Sequence, residues 1–96
     1  MSETDIKLAV LRWLKKNYPS AHVLKIADRF TSGIPDLHIC LSGMCIWIEL
    51  KVPGKGPEPI QEYTLSQIRA AGGRTAVCHS VAEVRQFIEE IKGRQP

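Results

Sequence analysis

The chain has 96 residues, a hydrophobic fraction of 44% and a formal net charge of +3. This length suffices for one hydrophobic core and not for two, so we expect residues 1–96 to form a single domain. The hydrophobic fraction is ordinary for a globular protein and excludes a disordered chain. The sequence has neither a signal-like leader nor an apolar run of about 18 residues, which predicts a soluble cytoplasmic protein with no membrane partner.

The first third of the chain contains a predicted helix and a predicted strand. Apolar residues recur at helical spacing over residues 4–17, and Pro19 helps to end this helix. Ser2 or Thr4 is a candidate cap, and Glu3 lies where a carboxylate favours the positive end of the helix dipole. Residues 21–28 alternate as a strand, and residues 29–35 form a loop that carries Arg29.

The next two strands form a predicted β-hairpin. Apolar residues alternate with polar ones from Asp36 to Leu41 and again from Met44 to Lys51, which is typical of half-buried strands. If Ser42-Gly43 is the two-residue turn, Asp36 lies directly opposite Glu49, with Cβ atoms about 4.5–5.5 Å apart. A turn at Gly43-Met44 would place Asp36 opposite Lys51 instead. In either register, three charged side chains converge on one face: Asp36, Glu49 and Lys51.

These residue types match the chemistry of a metal-dependent phosphodiesterase. Like charges that face each other destabilise a sheet, and a hard cation such as Mg²⁺ would compensate by binding both carboxylates. The backbone carbonyl of Leu50 is a possible third oxygen ligand, and Lys51 would stabilise charge on a phosphoryl group. The alternative is that Asp36 begins a strand and that Glu49 and Lys51 form an exposed surface pair.

The second half of the chain is predicted to add two helices and one strand. A loop rich in proline and glycine follows Lys51, and Lys55 within it either contacts a DNA backbone or belongs to a simple connector. Helices are predicted at 59–71 and 81–92, with a short buried strand at 74–79 between them. Ser80 and Glu83 form a candidate capping box for the last helix. The order αβββαβα predicts an α/β fold with a four-stranded mixed sheet flanked by helices.

Three cysteines form neither a disulfide framework nor a zinc-binding motif. Cys40 and Cys45 face one another in the preferred hairpin register, so a bond between them is sterically possible. We nevertheless expect reduced thiols, because cytosolic proteins rarely keep structural disulfides. Cys78 lies in an apolar run and is expected in the core. His38, on the same face as Asp36, is either a contact for the substrate or a partly buried structural residue.

Nearly the whole chain resembles the virus-type replication-repair nuclease (VRR-NUC) family of the PD-(D/E)xK superfamily. Gly33-Ile34-Pro35-Asp36-Leu37 resembles the family's Gly-x-Pro-Asp-Leu element, and Trp47-Ile48-Glu49-Leu50-Lys51 resembles its apolar-Glu-Leu-Lys strand. Gln61 matches the glutamine of the following helix, and Glu3 is the candidate for the glutamate of the first helix. Glu58 stands where family members often have Ser or Thr.

The resemblance implies a restriction-endonuclease-like core that cleaves DNA with Mg²⁺ or Mn²⁺, often branched DNA such as a four-way (Holliday) junction, as a homodimer. It implies catalytic roles for Asp36, Glu49, Lys51 and Gln61, with Glu3 as a possible further metal ligand. Basic residues that we expect at the DNA backbone are Arg29, Lys55, Lys15 and Lys16. Two alternatives are a monomeric nicking or flap-type nuclease, and a non-catalytic nucleic-acid-binding module with the same fold.

Overall fold

The helices and strands follow one another in the predicted order. A computed structural model describes residues 1–26 and 33–94. Its elements are α1 (Glu3–Asn17), β1 (His22–Lys25), β2 (Leu37–Leu41), β3 (Met44–Leu50), α2 (Pro59–Ala70), β4 (Arg74–Cys78) and α3 (Val81–Gly93). The strands are ordered β1-β2-β3-β4, with antiparallel pairing up to β3 and parallel pairing between β3 and β4. The predicted α/β class and the mixed four-stranded sheet are therefore confirmed.

The β2–β3 hairpin has the preferred register. Leu41 pairs with Met44, so Ser42 and Gly43 form the turn. Both have positive φ angles, 50° and 78°, as the favoured two-residue hairpin turn requires. The alternative turn at Gly43-Met44 is excluded.

Helices cover both faces of the sheet. The apolar side chains of β2 and β3 are buried against α1 and α3, which also contact each other. On the other face, α2 contacts β4, and Arg69 Nη1 donates to Thr75 Oγ1 at 2.8 Å. Thr75 pairs with Trp47, whose side chain belongs to the face that carries Glu49. The candidate site therefore lies on the face only partly covered by α2.

Several local predictions need correction. Helical spacing within residues 59–71 predicts that Ile60 and Tyr63 face the core. They are instead 48% and 61% exposed, because α2 contacts the sheet mainly through β4. The predicted buried strand at 74–79 is an edge strand, and it is mostly half-buried. Strand β1 covers His22–Lys25, and residues 27 and 28 of the predicted strand 21–28 lie outside the described residues.

The capping residues were largely foreseen. Ser2 Oγ accepts from Asp5 N at 3.1 Å, and Asp5 Oδ2 accepts from Ser2 N at 3.0 Å. Ser80 Oγ accepts from Glu83 N at 3.2 Å, as predicted. The Glu83 carboxylate pairs with His79 Nδ1 at 3.0 Å, which differs from the predicted capping box. Among the described residues, no helix is both long enough and apolar enough to cross a membrane.

Candidate active site

Asp36 is held at the mouth of the hairpin by three parts of the chain. Leu50 N donates to its Oδ2 at 2.8 Å, and Lys7 Nζ lies 3.2 Å from its Oδ1. The Asp36 carbonyl accepts from Ile26 N at 2.9 Å, which ties the residue to the end of β1. Pro35, just before it, is fully buried. The carboxylate is therefore fixed in position before any ligand binds.

The structure explains why the Gly-x-Pro-Asp element begins with a glycine, Gly33. Its φ is +82°, a conformation that side-chain-bearing residues rarely adopt. A Cβ at this position would lie 2.7 Å from the Ile60 carbonyl oxygen and 2.9 Å from Thr64 Oγ1. The absence of a side chain thus lets the segment before Asp36 pack directly on the first turns of α2.

Glu49 is the buried acid of the site. It is only 3% exposed, and its Oε2 is the one buried side-chain oxygen or nitrogen without a hydrogen-bond partner within residues 1–26 and 33–94. Burial raises the pKa of Glu49 to about 8, and the hydrogen bond and charge of Asp36 add to this rise. The charge of Glu3 acts in the same direction, whereas Lys51 opposes it. At neutral pH, Glu49 therefore carries a proton.

Asp36 is the ionised member of the Asp36–Glu49 pair. Burial alone would raise its pKa, but hydrogen bonds from Glu49, Leu50 N and Lys7 outweigh burial and lower the pKa below the ordinary value. The two facing carboxyl groups therefore share one proton, which resolves the like-charge repulsion expected from the sequence.

Lys51 and the Leu50 backbone are the remaining members of the candidate site predicted from the sequence. Leu50 N–H points toward Asp36, and in an extended strand the carbonyl of the same residue points to the same side. Lys51 N donates to the Cys78 carbonyl at 3.0 Å, on the β4 side of the strand. The Lys51 side chain is half-buried and alternates onto the face of Glu49.

Helix α1 contributes to the site through Lys7. Glu3 is the first residue of α1 and is exposed, and its charge is felt at Glu49. It does not join Asp36 and Glu49 in a ligand group, since the described residues contain no cluster of three or more His, Cys, Asp or Glu able to hold a metal. The sequence analysis did not predict the contact of Lys7 with Asp36. The available signal was its spacing, because a residue four positions after Glu3 shares its helix face.

Gln61 lies in the first turn of α2 and caps that helix. Its Oε1 accepts from Glu58 N at 2.8 Å, so Glu58 occupies the N-cap position. The close packing of Gly33 on the Ile60 carbonyl brings this turn next to the segment that leads into Asp36. Gln61 therefore lies in a turn that packs against the segment leading into Asp36, and its side-chain oxygen has a structural partner in Glu58 N.

The predicted DNA-contacting residues are spread over the molecule. Lys55 lies in the loop after Lys51, where its carbonyl accepts from His79 Nε2 at 2.7 Å. Lys15 and Lys16 lie in the last turn of α1, and Lys15 is about 12 Å along the helix axis from Lys7. Arg29 lies outside the described residues.

A second group of polar side chains continues the same sheet face toward the hairpin turn. His38 stacks on Trp47 with ring centroids 4.1 Å apart. Beyond this pair lie Cys40 and Cys45, which pair directly across the hairpin. Cys78 is buried as expected, and burial raises the pKa of its thiol to about 12.

Comparison with solved structures identifies the fold. One chain described as "VRR_NUC domain" superposes with a TM-score of 0.73 at 25% identity, over 93% of this chain and 97% of that chain. A second, described as "VRR_NUC domain protein", has a TM-score of 0.75 at 18% identity and covers 93% and 86% of the two chains. The predicted resemblance to the VRR-NUC family is confirmed at the level of the fold. No protein-family model and no curated protein matches the chain.

The candidate site residues lie on three elements of this VRR-NUC-like fold. Asp36 and Glu49 lie on the hairpin, Lys51 follows the end of β3, and Gln61 lies in the first turn of α2. The superposition covers nearly all of both chains in the 25%-identical pair, so this fold extends over the helices as well as the sheet.

Proposed function

We propose that residues 1–96 form one metal-dependent endodeoxyribonuclease domain, which hydrolyses phosphodiester bonds of DNA. The observation that carries the proposal is the buried Glu49 carboxyl group, whose Oε2 lacks a partner while its neighbour Asp36 is ionised. A buried polar atom without a partner is costly and requires an explanation. A ligand that binds both carboxylates provides one.

The donor set fits Mg²⁺ or Mn²⁺. Two carboxylates and the Leu50 carbonyl are oxygen donors, and Mg²⁺ commonly binds one or two carboxylates and completes its shell with water and substrate phosphate. The bound cation would polarise a phosphoryl oxygen and activate water. Glu3 is close enough to influence Glu49 electrostatically and would contribute at most through water or after side-chain movement.

The chain's own residues have distinct tasks in this proposal. Leu50 N and Lys7 hold the Asp36 carboxylate at the hairpin mouth, where it would be preorganised to bind a cation. Lys51 places a positive charge beside the carboxylates, where charge grows on the phosphoryl oxygens during hydrolysis. Gln61 would orient the substrate or water with the side-chain amide group that remains after its oxygen caps α2.

Cleavage of end-labelled DNA tests this function. A four-way junction and its matched linear duplex are incubated with Mg²⁺, Mn²⁺ or EDTA. We expect wild type to cut with either metal and not with EDTA. Asp36→Asn and Lys51→Ala should lose cutting, while Glu89→Gln, which changes an exposed acid on α3, should retain it. A folded, DNA-binding wild type that cuts neither substrate would contradict the proposal and favour a non-catalytic binding module.

We further propose branched DNA as the preferred substrate and a homodimer as the active form. The support is geometric: a four-way junction has two-fold symmetry, and a two-fold dimer would present two sites to opposing strands. Light scattering should give the mass of two copies, and junction cleavage should give paired incisions. A monomer that makes single nicks would refute this part and favour the nicking or flap-type alternative.

The basic residues should contribute through phosphate contacts. Lys55 is exposed in the loop beside the site, and Lys15 and Lys16 are exposed on α1. Such contacts give salt-dependent binding without base readout. Lys55→Ala should weaken junction binding and lower the salt dependence. Lys15→Ala tests the more distant end of α1, and Arg29→Ala tests the predicted contact of Arg29 with the DNA backbone.

A further inference from the structure

Two thiols face each other on the exposed sheet face, near the hairpin turn. Cys40 and Cys45 are directly paired across β2 and β3, and both are exposed. Together with His38 and Trp47 they form what we term the thiol cluster. These four side chains alternate onto the same face as Asp36 and Glu49 but lie closer to the turn.

The hairpin geometry suits a bond between the two sulfurs. In a two-residue hairpin, the residues that flank the turn form a hydrogen-bonded pair, here Leu41 and Met44. The next pair, Cys40 and Cys45, is then non-hydrogen-bonded, with Cα atoms about 4.5 Å apart. Disulfides accept Cα separations of about 4.4–6.8 Å, so the backbone need not move far.

Two aromatic rings contact the Cys45 sulfur. Trp47 Nε1 donates to Cys45 Sγ at 3.1 Å, and His38 Nε2 lies 3.3 Å from the same sulfur. The indole N–H can only donate, so the Cys45 sulfur accepts from Trp47 and also lies within hydrogen-bond distance of His38 Nε2. Cys40 Sγ lies 4.0 Å from the same ring nitrogen.

We propose that Cys40 and Cys45 form a reversible cross-strand disulfide by exchange with a small-molecule disulfide, with Cys45 as the attacking residue. Cys45, as the thiolate after its proton passes to the solvent, attacks one sulfur of the small disulfide. The S–S bond of the small disulfide breaks, and the released small thiolate takes up a proton from the solvent. Cys40 then attacks the mixed disulfide at Cys45 and releases the second small thiol. Two protein thiols are oxidised and one small disulfide is reduced to two thiols, so protons and electrons balance.

Oxidised glutathione is the probe for this reaction. The reduced protein, with three free thiols, is incubated with glutathione redox buffers and quenched with acid. We expect the thiol count to fall from three to one, with an intact mass about 2 Da lower and a Cys40–Cys45 peptide after digestion. Excess reduced glutathione should restore all three thiols. Buried Cys78 should remain a thiol throughout.

Single variants define the order of attack. Cys40→Ser should stop at a glutathione adduct on Cys45, because the resolving thiol is missing. Cys45→Ser should react more slowly, since Cys40 lacks the Trp47 contact. His38→Gln should slow disulfide formation without changing its product. A wild type that keeps three thiols, accumulates mixed adducts or forms only intermolecular disulfides would overturn the proposal. None of these readouts depends on DNA cleavage.

Discussion

In the proposed metal site, binding of Mg²⁺ should release a proton from the Asp36–Glu49 pair. The pKa of Glu49 is raised to about 8, so at pH 7 about 0.9 proton occupies this group, and at pH 9 about 0.1. The metal requires the ionised carboxylate, so the proton competes with it. The observed affinity should therefore be about tenfold weaker at pH 7 than at pH 9, and it should level off above pH 8.

Titration calorimetry in two buffers with different heats of ionisation measures the protons released. We expect nearly one proton per Mg²⁺ at pH 7 and almost none at pH 9. In Glu49→Gln the release at pH 7 should disappear, because the remaining acid, Asp36, is already ionised. The interpretation is refuted if wild type binds Mg²⁺ equally well at pH 7 and pH 9 with no proton release at either pH.

Three further predictions concern residues around the site. Gly33→Ala should lower the free energy of unfolding by about 2–3 kcal/mol, because it combines a positive φ with a steric clash against α2. Gly54→Ala, also at positive φ but facing open space, should lower the free energy of unfolding by only about 1 kcal/mol. Thermal unfolding measures both variants, and an equal loss in the two would contradict this prediction. Lys7→Ala should raise the pKa of Asp36 in a carboxyl-carbon NMR titration and cost at most about 1 kcal/mol of stability; an unchanged titration would argue against the ion pair. The Glu83 contact raises the pKa of His79, so its stabilisation is present below about pH 6.5 and is lost as pH rises through the folded-state pKa. Glu83→Gln should therefore lower Tm by about 2–4 °C at pH 6 and by less at pH 9, and an equal loss at both pH values would exclude this linkage.

The hairpin and its three charged residues were predictable because their constraints are local. Strict alternation fixes which side chains share a face, and a two-residue turn fixes the register. Asp36 and Glu49 therefore had to lie together once Ser42-Gly43 formed the turn. The helix caps at Ser2 and Ser80 also depend on residues three positions apart, and both follow from sequence.

The remaining features depend on how distant segments pack. Lys7 reaches Asp36 only because α1 lies against the sheet with that face toward the hairpin mouth, and helical spacing alone does not fix this rotation. Ile60 and Tyr63 fit an amphipathic pattern, yet α2 covers too little of the sheet to bury them. The sequence predicted a catalytic role for Gln61. That its side-chain oxygen also accepts a hydrogen bond from Glu58 N follows only from the geometry of α2.

The shared proton explains how two facing carboxyl groups are tolerated side by side in the fold. Two ionised carboxylates at this separation would repel, and the burial of Glu49 would strengthen the repulsion. One proton on Glu49, the Leu50 amide and Lys7 together neutralise the pair, so the hairpin can fold with its site already assembled. In the proposed enzyme, a divalent cation held by Asp36 and Glu49 would take the place of this proton.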